Sequence, residues 1–202
     1  MINRKCFIIG IKSTKLTKQE LLFLKKYKPW GVILFSRNLQ NFKQIKNLTS
    51  NIKKIFKDKN YPIMIDQEGG RINRLNKIIS LDKLTSEYFG KLFVKDKREF
   101  LINYKLFIDK ISYLLKNLGI NINTVPVLDL RYKTSSKVIG DRSFSNNIKV
   151  VSDIGDLCIR YFRENSIGTV IKHIPGHGLA KVDSHNFTPI INKDKSYLYK
   201  KD

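Results

Sequence analysis

The stretch KHIPGHGLAKVDSH, residues 172–185, carries all three histidines of a 202-residue chain: His173, His177 and His185. Histidine titrates near neutral pH, so an imidazole can take a proton in one step and return it in the next. Asp183 and His185 are two residues apart, which in an extended segment puts both side chains on one side. A carboxylate beside an imidazole fixes its tautomer and raises its basicity, as in hydrolytic triads. Gly176 and Gly178 permit sharp bends in this loop, and Pro175 stiffens its entry. A single histidine would be read as a structural residue; three in one glycine-bearing loop point to function. His173 and His177 lack a metal-ligand spacing and have no Cys or Glu cluster beside them, so no metal is expected. Ser184 lies between Asp183 and His185, but there is no Gly-x-Ser-x-Gly elbow, so a serine nucleophile is discounted.

Other polar residues follow short apolar runs. GVILF (31–35) is followed by Ser36-Arg37-Asn38, and YPIMI (61–65) by Asp66-Gln67-Glu68-Gly69-Gly70-Arg71. VPVL (125–128) leads into Asp129, with IGDRSF (139–144) downstream, and GTVI (168–171) leads into Lys172-His173. An acid placed directly after an apolar run is partly desolvated and must find a partner or a ligand.

These apolar runs define the elements that position the chemistry. Strands are expected at 6–11, 31–35, 61–66, 122–130 and 168–174, with Pro126 making the fourth irregular. Helical periodicity covers 17–27, with Thr17 as its cap, 41–56, about 99–118 with Gly119 as a stop, and 147–166. Pro29-Trp30 reads as a break before the second strand, and 67–75 as a glycine-bearing loop. Alternating strands and helices give an α/β fold with a parallel sheet. No dinucleotide-type glycine fingerprint follows the first strand, which disfavours an open doubly wound sheet. An eightfold barrel needs roughly 250 residues, and its active site lies at the carboxyl ends of its strands.

The net charge of +22 raises the question of nucleic acid. Lysine outnumbers arginine about three to one and is spread along the whole chain. Arginine is the better reader of phosphate and base edges. Salt-sensitive attraction to polyanions is expected, but no specific nucleic-acid partner. Apolar runs of about five to eight residues fall short of the roughly twenty that span a membrane. The N-terminus lacks a signal-peptide pattern, so the expected location is cytoplasmic. Cys6 and Cys158 are expected to be buried free thiols.

DQEGGRINRL (66–75), PVLDL (126–130), IGDRSF (139–144) and KHIPGHGLAKVDSH, together with GVILFSRN (31–38), resemble in order and spacing the family-three glycoside hydrolases. The resemblance is strongest to the bacterial cytosolic β-N-acetylglucosaminidases of cell-wall recycling, and it covers essentially the whole chain. It implies a (β/α)8 TIM barrel, of which this chain supplies about the first five βα units. Residues 1–202 would form the N-terminal catalytic barrel domain, incomplete at its C-terminus. The implied reaction is retaining hydrolysis of terminal, non-reducing β-linked N-acetylglucosamine from peptidoglycan-derived muropeptides. Asp66, Arg74, Arg142, Lys172 and His173 match the residues that grip the sugar. His185, oriented by Asp183, matches a histidine acid/base where most glycosidases use a carboxylic acid. No cofactor is implied, and the partner is a small carbohydrate, with no membrane and a monomeric full-length protein. Glu68 and Arg71 are expected to support the loop rather than touch sugar. The family's nucleophilic aspartate lies beyond the DSH motif and has no counterpart here. This exact chain is therefore expected to be an inactive, sugar-binding portion unless that segment is supplied.

Overall fold

A computed structural model describes residues 4–132, 137–183 and 186–201. Five strands form one parallel sheet: β1 (Lys5–Gly10), β2 (Pro29–Leu34), β3 (Ile63–Ile65), β6 (Ile122–Asn123) and β7 (Gly168–Thr169). A two-stranded antiparallel hairpin, β4 (Gln67–Gly69) and β5 (Ile72–Asn73), sits in the connection after β3. The helices are α1 (Lys18–Tyr27), α2 (Phe42–Phe56), α3 (Ser86–Lys95), α4 (Lys97–Asn117), α5 (Ile148–Glu164) and α6 (Lys195–Lys201).

Spatial order in the sheet follows chain order, β1-β2-β3-β6-β7, without reversal. A doubly wound sheet reverses direction at a switch point, whereas a barrel adds each strand beside the last. The sheet is therefore the first five strands of a (β/α)8 barrel, and it does not close on itself among the described residues. Register runs continuously across it, with Val32 opposite Ile63, Ile65 opposite Asn123, and Asn123 opposite Thr169.

Apolar periodicity places the helices. Ile45, Leu48 and Ile52 turn one face of α2 inward, and Val151, Ile154, Cys158 and Phe162 do so for α5. Phe89 of α3 packs edge-on against Phe100 and Tyr104 of α4, which joins these two helices into one layer. Thr17 caps α1 in a capping box with Glu20, as its sequence predicts. Gly119, at φ +75°, ends the turn after α4.

Several expectations are corrected. The strand expected at 122–130 is reduced to Ile122–Asn123, and that expected at 168–174 to Gly168–Thr169. Pro126 lacks a ladder donor, and beyond it only the single parallel bridge between Val127 and Lys172 continues the pairing. Pro29 begins β2 rather than breaking before it, a position where a missing N–H is tolerated. The loop at 67–75 is the β4–β5 hairpin. Cys158 is buried, but Cys6 is exposed on the edge strand. Among the described residues, no helix is long and apolar enough to cross a membrane.

Candidate active site

The site is built on the backbone that leaves β3. Buried Asn123 of β6 accepts from the Gln67 amide at 2.9 Å and donates to the Gln67 carbonyl at 2.9 Å. These two bonds lock the peptide between Asp66 and Glu68 to the neighbouring strand, which sets the direction of both acids. The Gln67 side chain then donates to Asn73 at 2.9 Å and accepts from the Leu75 amide at 3.0 Å, which pins the hairpin carrying Arg74. Gly69, at φ +104°, makes the turn; a Cβ there would lie 2.3 Å from the Leu84 carbonyl.

Three of the expected sugar-binding residues meet directly. Asp66 lies 3.4 Å from Arg74 on one oxygen and 3.4 Å from Lys172 on the other. The Thr124 hydroxyl donates to Asp66 and accepts from Lys172 at 3.1 Å. Burial raises the Asp66 pKa, but Lys172, the Thr124 hydroxyl and Arg74 outweigh it and leave the carboxyl below its ordinary value. Arg74 is held only loosely, and its buried Nε has no hydrogen-bond partner among the described residues.

Arg142 joins the group through Glu68. It lies in the short 3-10 turn Gly140–Arg142, and its Nε and Nη2 reach the two Glu68 oxygens at 2.8 and 2.9 Å. The same carboxylate takes Lys172 at 2.6 Å. The Glu68 side chain is 3% exposed, and both its oxygens are engaged by these cations. Its role is larger than loop support: it fixes two cations that face the site. Burial raises its pKa, and Arg142 and Lys172 together bring it below the ordinary value.

His173 is held from the opposite side. Asp129, whose side chain is fully buried, lies 2.6 Å from His173 Nδ1 and also accepts the His173 amide at 3.3 Å. Its other oxygen accepts the His177 amide. Burial raises the Asp129 pKa, and these donors, His173 first, lower it below the ordinary value. Asp129 is thus ionised at neutral pH.

Asp183 begins the turn that follows it, its carbonyl accepting from Asn186 and Phe187 at 3.1 and 3.0 Å. His185 and Ser184 lie outside the described residues, so the Asp183–His185 pairing stays an expectation from sequence. Sequence names Glu68 only as loop support and gives Asp129 and Thr124 no role. Asp129 gives the clearest signal, an acid interrupting an apolar run, but its partners lie 44 and 48 residues away. Two grooves, about 760 Å³ between α1 and α2 and about 730 Å³ beside α3, touch none of this cluster.

Residues 3–202 match the model of the glycosyl hydrolase family 3 N terminal domain. The chain belongs to this family. A beta-hexosaminidase from Haemophilus ducreyi is 36% identical over 198 residues, 96% of this chain and 55% of that protein. The beta-hexosaminidase of Hydrogenovibrio crunogenus is 30% identical over 201 residues, 98% of this chain and 54% of that protein. Native NagZ from Neisseria gonorrhoeae superposes with a TM-score of 0.88 at 29% identity, covering 98% of this chain and 57% of NagZ. The same NagZ has also been solved with N-trifluoroacetyl-D-glucosamine. The chain thus spans a little over half the length of these family members.

Proposed function

We propose that this chain forms the sugar-binding part of a β-N-acetylhexosaminidase that removes terminal, non-reducing β-linked N-acetylglucosamine from peptidoglycan-derived muropeptides in the cytoplasm. The observation that carries the reading is the convergence of Asp66, Arg74, Arg142 and Lys172 in one ionic cluster at the carboxyl ends of the strands, with His173 next to Lys172 in the chain, in a chain of this family. An ionised Asp66 accepts from two adjacent sugar hydroxyls, while Arg74, Arg142 and Lys172 donate to others; such charge-assisted bonds are the strong kind. Small-molecule carbohydrate is the partner, and the full-length protein acts as a monomer. His185, oriented by Asp183, serves as acid and then base in a retaining reaction.

A second reading is sugar binding without turnover by this chain alone. It is favoured by the state of the buried acids: Asp66, Glu68 and Asp129 are each engaged by cations or amides. A retaining glycosidase needs a free carboxylate roughly 5 Å from its acid/base. The decisive experiment extends the chain to the length of its relatives and follows release of an aryl aglycone from an aryl β-N-acetylglucosaminide. Release with retained anomeric configuration, lost in His185→Ala, is expected. No release with Asp183 and His185 intact refutes the hydrolase reading.

A further inference from the structure

We propose that Asp129 is a positioning residue that presents His173 to ligand as the Nδ1–H tautomer and, through the same carboxylate, ties that contact to the loop running toward Asp183. The ligand part of this inference rests on the sugar-binding reading above; the tautomer and the tie do not.

An ionised carboxylate only accepts hydrogen bonds. Asp129 faces three nitrogens: Nδ1 of His173 at 2.6 Å, the His173 amide at 3.3 Å and the His177 amide. The two amides carry their protons permanently, so the only choice lies at Nδ1. At 2.6 Å from an anionic oxygen, Nδ1 must carry the proton. In the neutral ring, Nε2 is then left as an acceptor suited to a sugar O–H, on a side chain that is one-third exposed.

The tie to the loop follows from how His177 is held. Among the described residues, neither of its buried ring nitrogens has a hydrogen-bond partner, and its ring meets His173 edge-on, 5.9 Å between centroids. The imidazole therefore does not anchor this bend; the backbone amide does, on Asp129. A movement of the 174–178 bend pulls on the acid that orients His173, and a ligand that fixes His173 steadies the bend. An Asn at 129 cannot reproduce this, because either orientation of its amide sets an NH2 against a backbone N–H.

The test uses the full chain labelled with 15N-histidine. Two-bond ring correlations report each tautomer, and hydrogen exchange reports the His177 amide. The account predicts Nδ1–H at His173 and a protected His177 amide. Asp129→Asn should shift His173 toward Nε2–H, speed exchange at His177 and weaken N-acetylglucosamine binding about ten-fold or more, by analogy with the loss of the carboxylate behind a metal-bound histidine. His177→Ala should leave the His173 signature in place and assigns the His177 resonances. An Nε2–H ring at His173 in the unsubstituted chain overturns the proposal even if Asp129→Asn fails to fold. So does a His177→Ala variant that loses the Nδ1–H signature. Absence of sugar binding with the Nδ1–H signature intact would instead refute the function proposed above and leave the Asp129 assignment standing.

Discussion

Replacing Glu68 by Gln removes one charge while keeping the shape of the side chain, and the structure makes the consequence calculable. Glu68 takes two bonds from Arg142 and one from Lys172 at 2.6–2.9 Å, and is 3% exposed, so solvent screens these contacts little. Removing one partner of a buried ion pair costs about 3–5 kcal/mol. Asp66 remains 3.4 Å from Lys172 and softens the loss, so the lower end, about 3 kcal/mol, applies. For a chain of this length each kcal/mol moves Tm by about 2–4 °C, giving a drop of about 6–12 °C by circular dichroism at pH 7. The difference must also depend on pH. The Glu68 pKa in the folded chain lies below its ordinary value of 4.5. Its stabilisation is therefore complete above pH 4.5 and is lost as pH falls through the lower folded value. Asp129 is common to both proteins and pairs with neither cation, whereas Asp66 shares Lys172, so the gap between the two melting curves reports Glu68 together with its coupling to Asp66. A drop under about 2 °C at pH 7, or a gap unchanged down to pH 3, would refute the reasoning.

Three further outcomes follow from packing and accessibility. Gly90 of α3 leaves no room for a methyl group, since a Cβ there would lie 1.7 Å from the Phe144 carbonyl. Gly90→Ala should therefore cost about 3 kcal/mol or more, seen as a lowered urea midpoint, despite the better helix propensity of alanine. Thr17→Ala removes the α1 capping box and should cost about 1 kcal/mol, read in the same assay. Burial pushes the Cys158 thiol up to about 12 whereas Cys6 is exposed, so a thiol reagent should label Cys6 quickly in the folded chain and Cys158 only after denaturant.

The parts of the fold legible in the sequence are those whose signal is local. The runs CFIIGI and GVILF, and the inward faces of α2 and α5, state their own periodicity, and strand-helix alternation follows from them. Helix α3 was not expected because Gly90 interrupts its pattern; that glycine is there for the close approach of Phe144, a tertiary cause. The hairpin β4–β5 looks like a loop because each of its strands is only two or three residues long, and a Gln67–Asn73 side-chain bond holds it. At the site, Asp66, Arg74, Arg142, Lys172 and His173 were found through motifs, and the structure brings the first four into one ionic cluster. Glu68 and Asp129 carry equal structural weight, yet Glu68 meets Arg142 74 residues away and Lys172 farther still, and spacing along the chain holds no trace of such pairings. Exposure of Cys6 has a related cause: CFIIGI reads as a buried strand, but β1 lies at an edge of the five-stranded sheet.

The central claim is that this cluster holds N-acetylglucosamine through Asp66. Calorimetric titration of the chain with N-acetylglucosamine, beside Asp66→Asn, tests it most directly. The account predicts saturable heat at millimolar sugar for the unsubstituted chain and a loss of at least ten-fold in affinity for Asp66→Asn, about 1.4 kcal/mol. No heat for the unsubstituted chain, or equal affinity in both proteins, would contradict it.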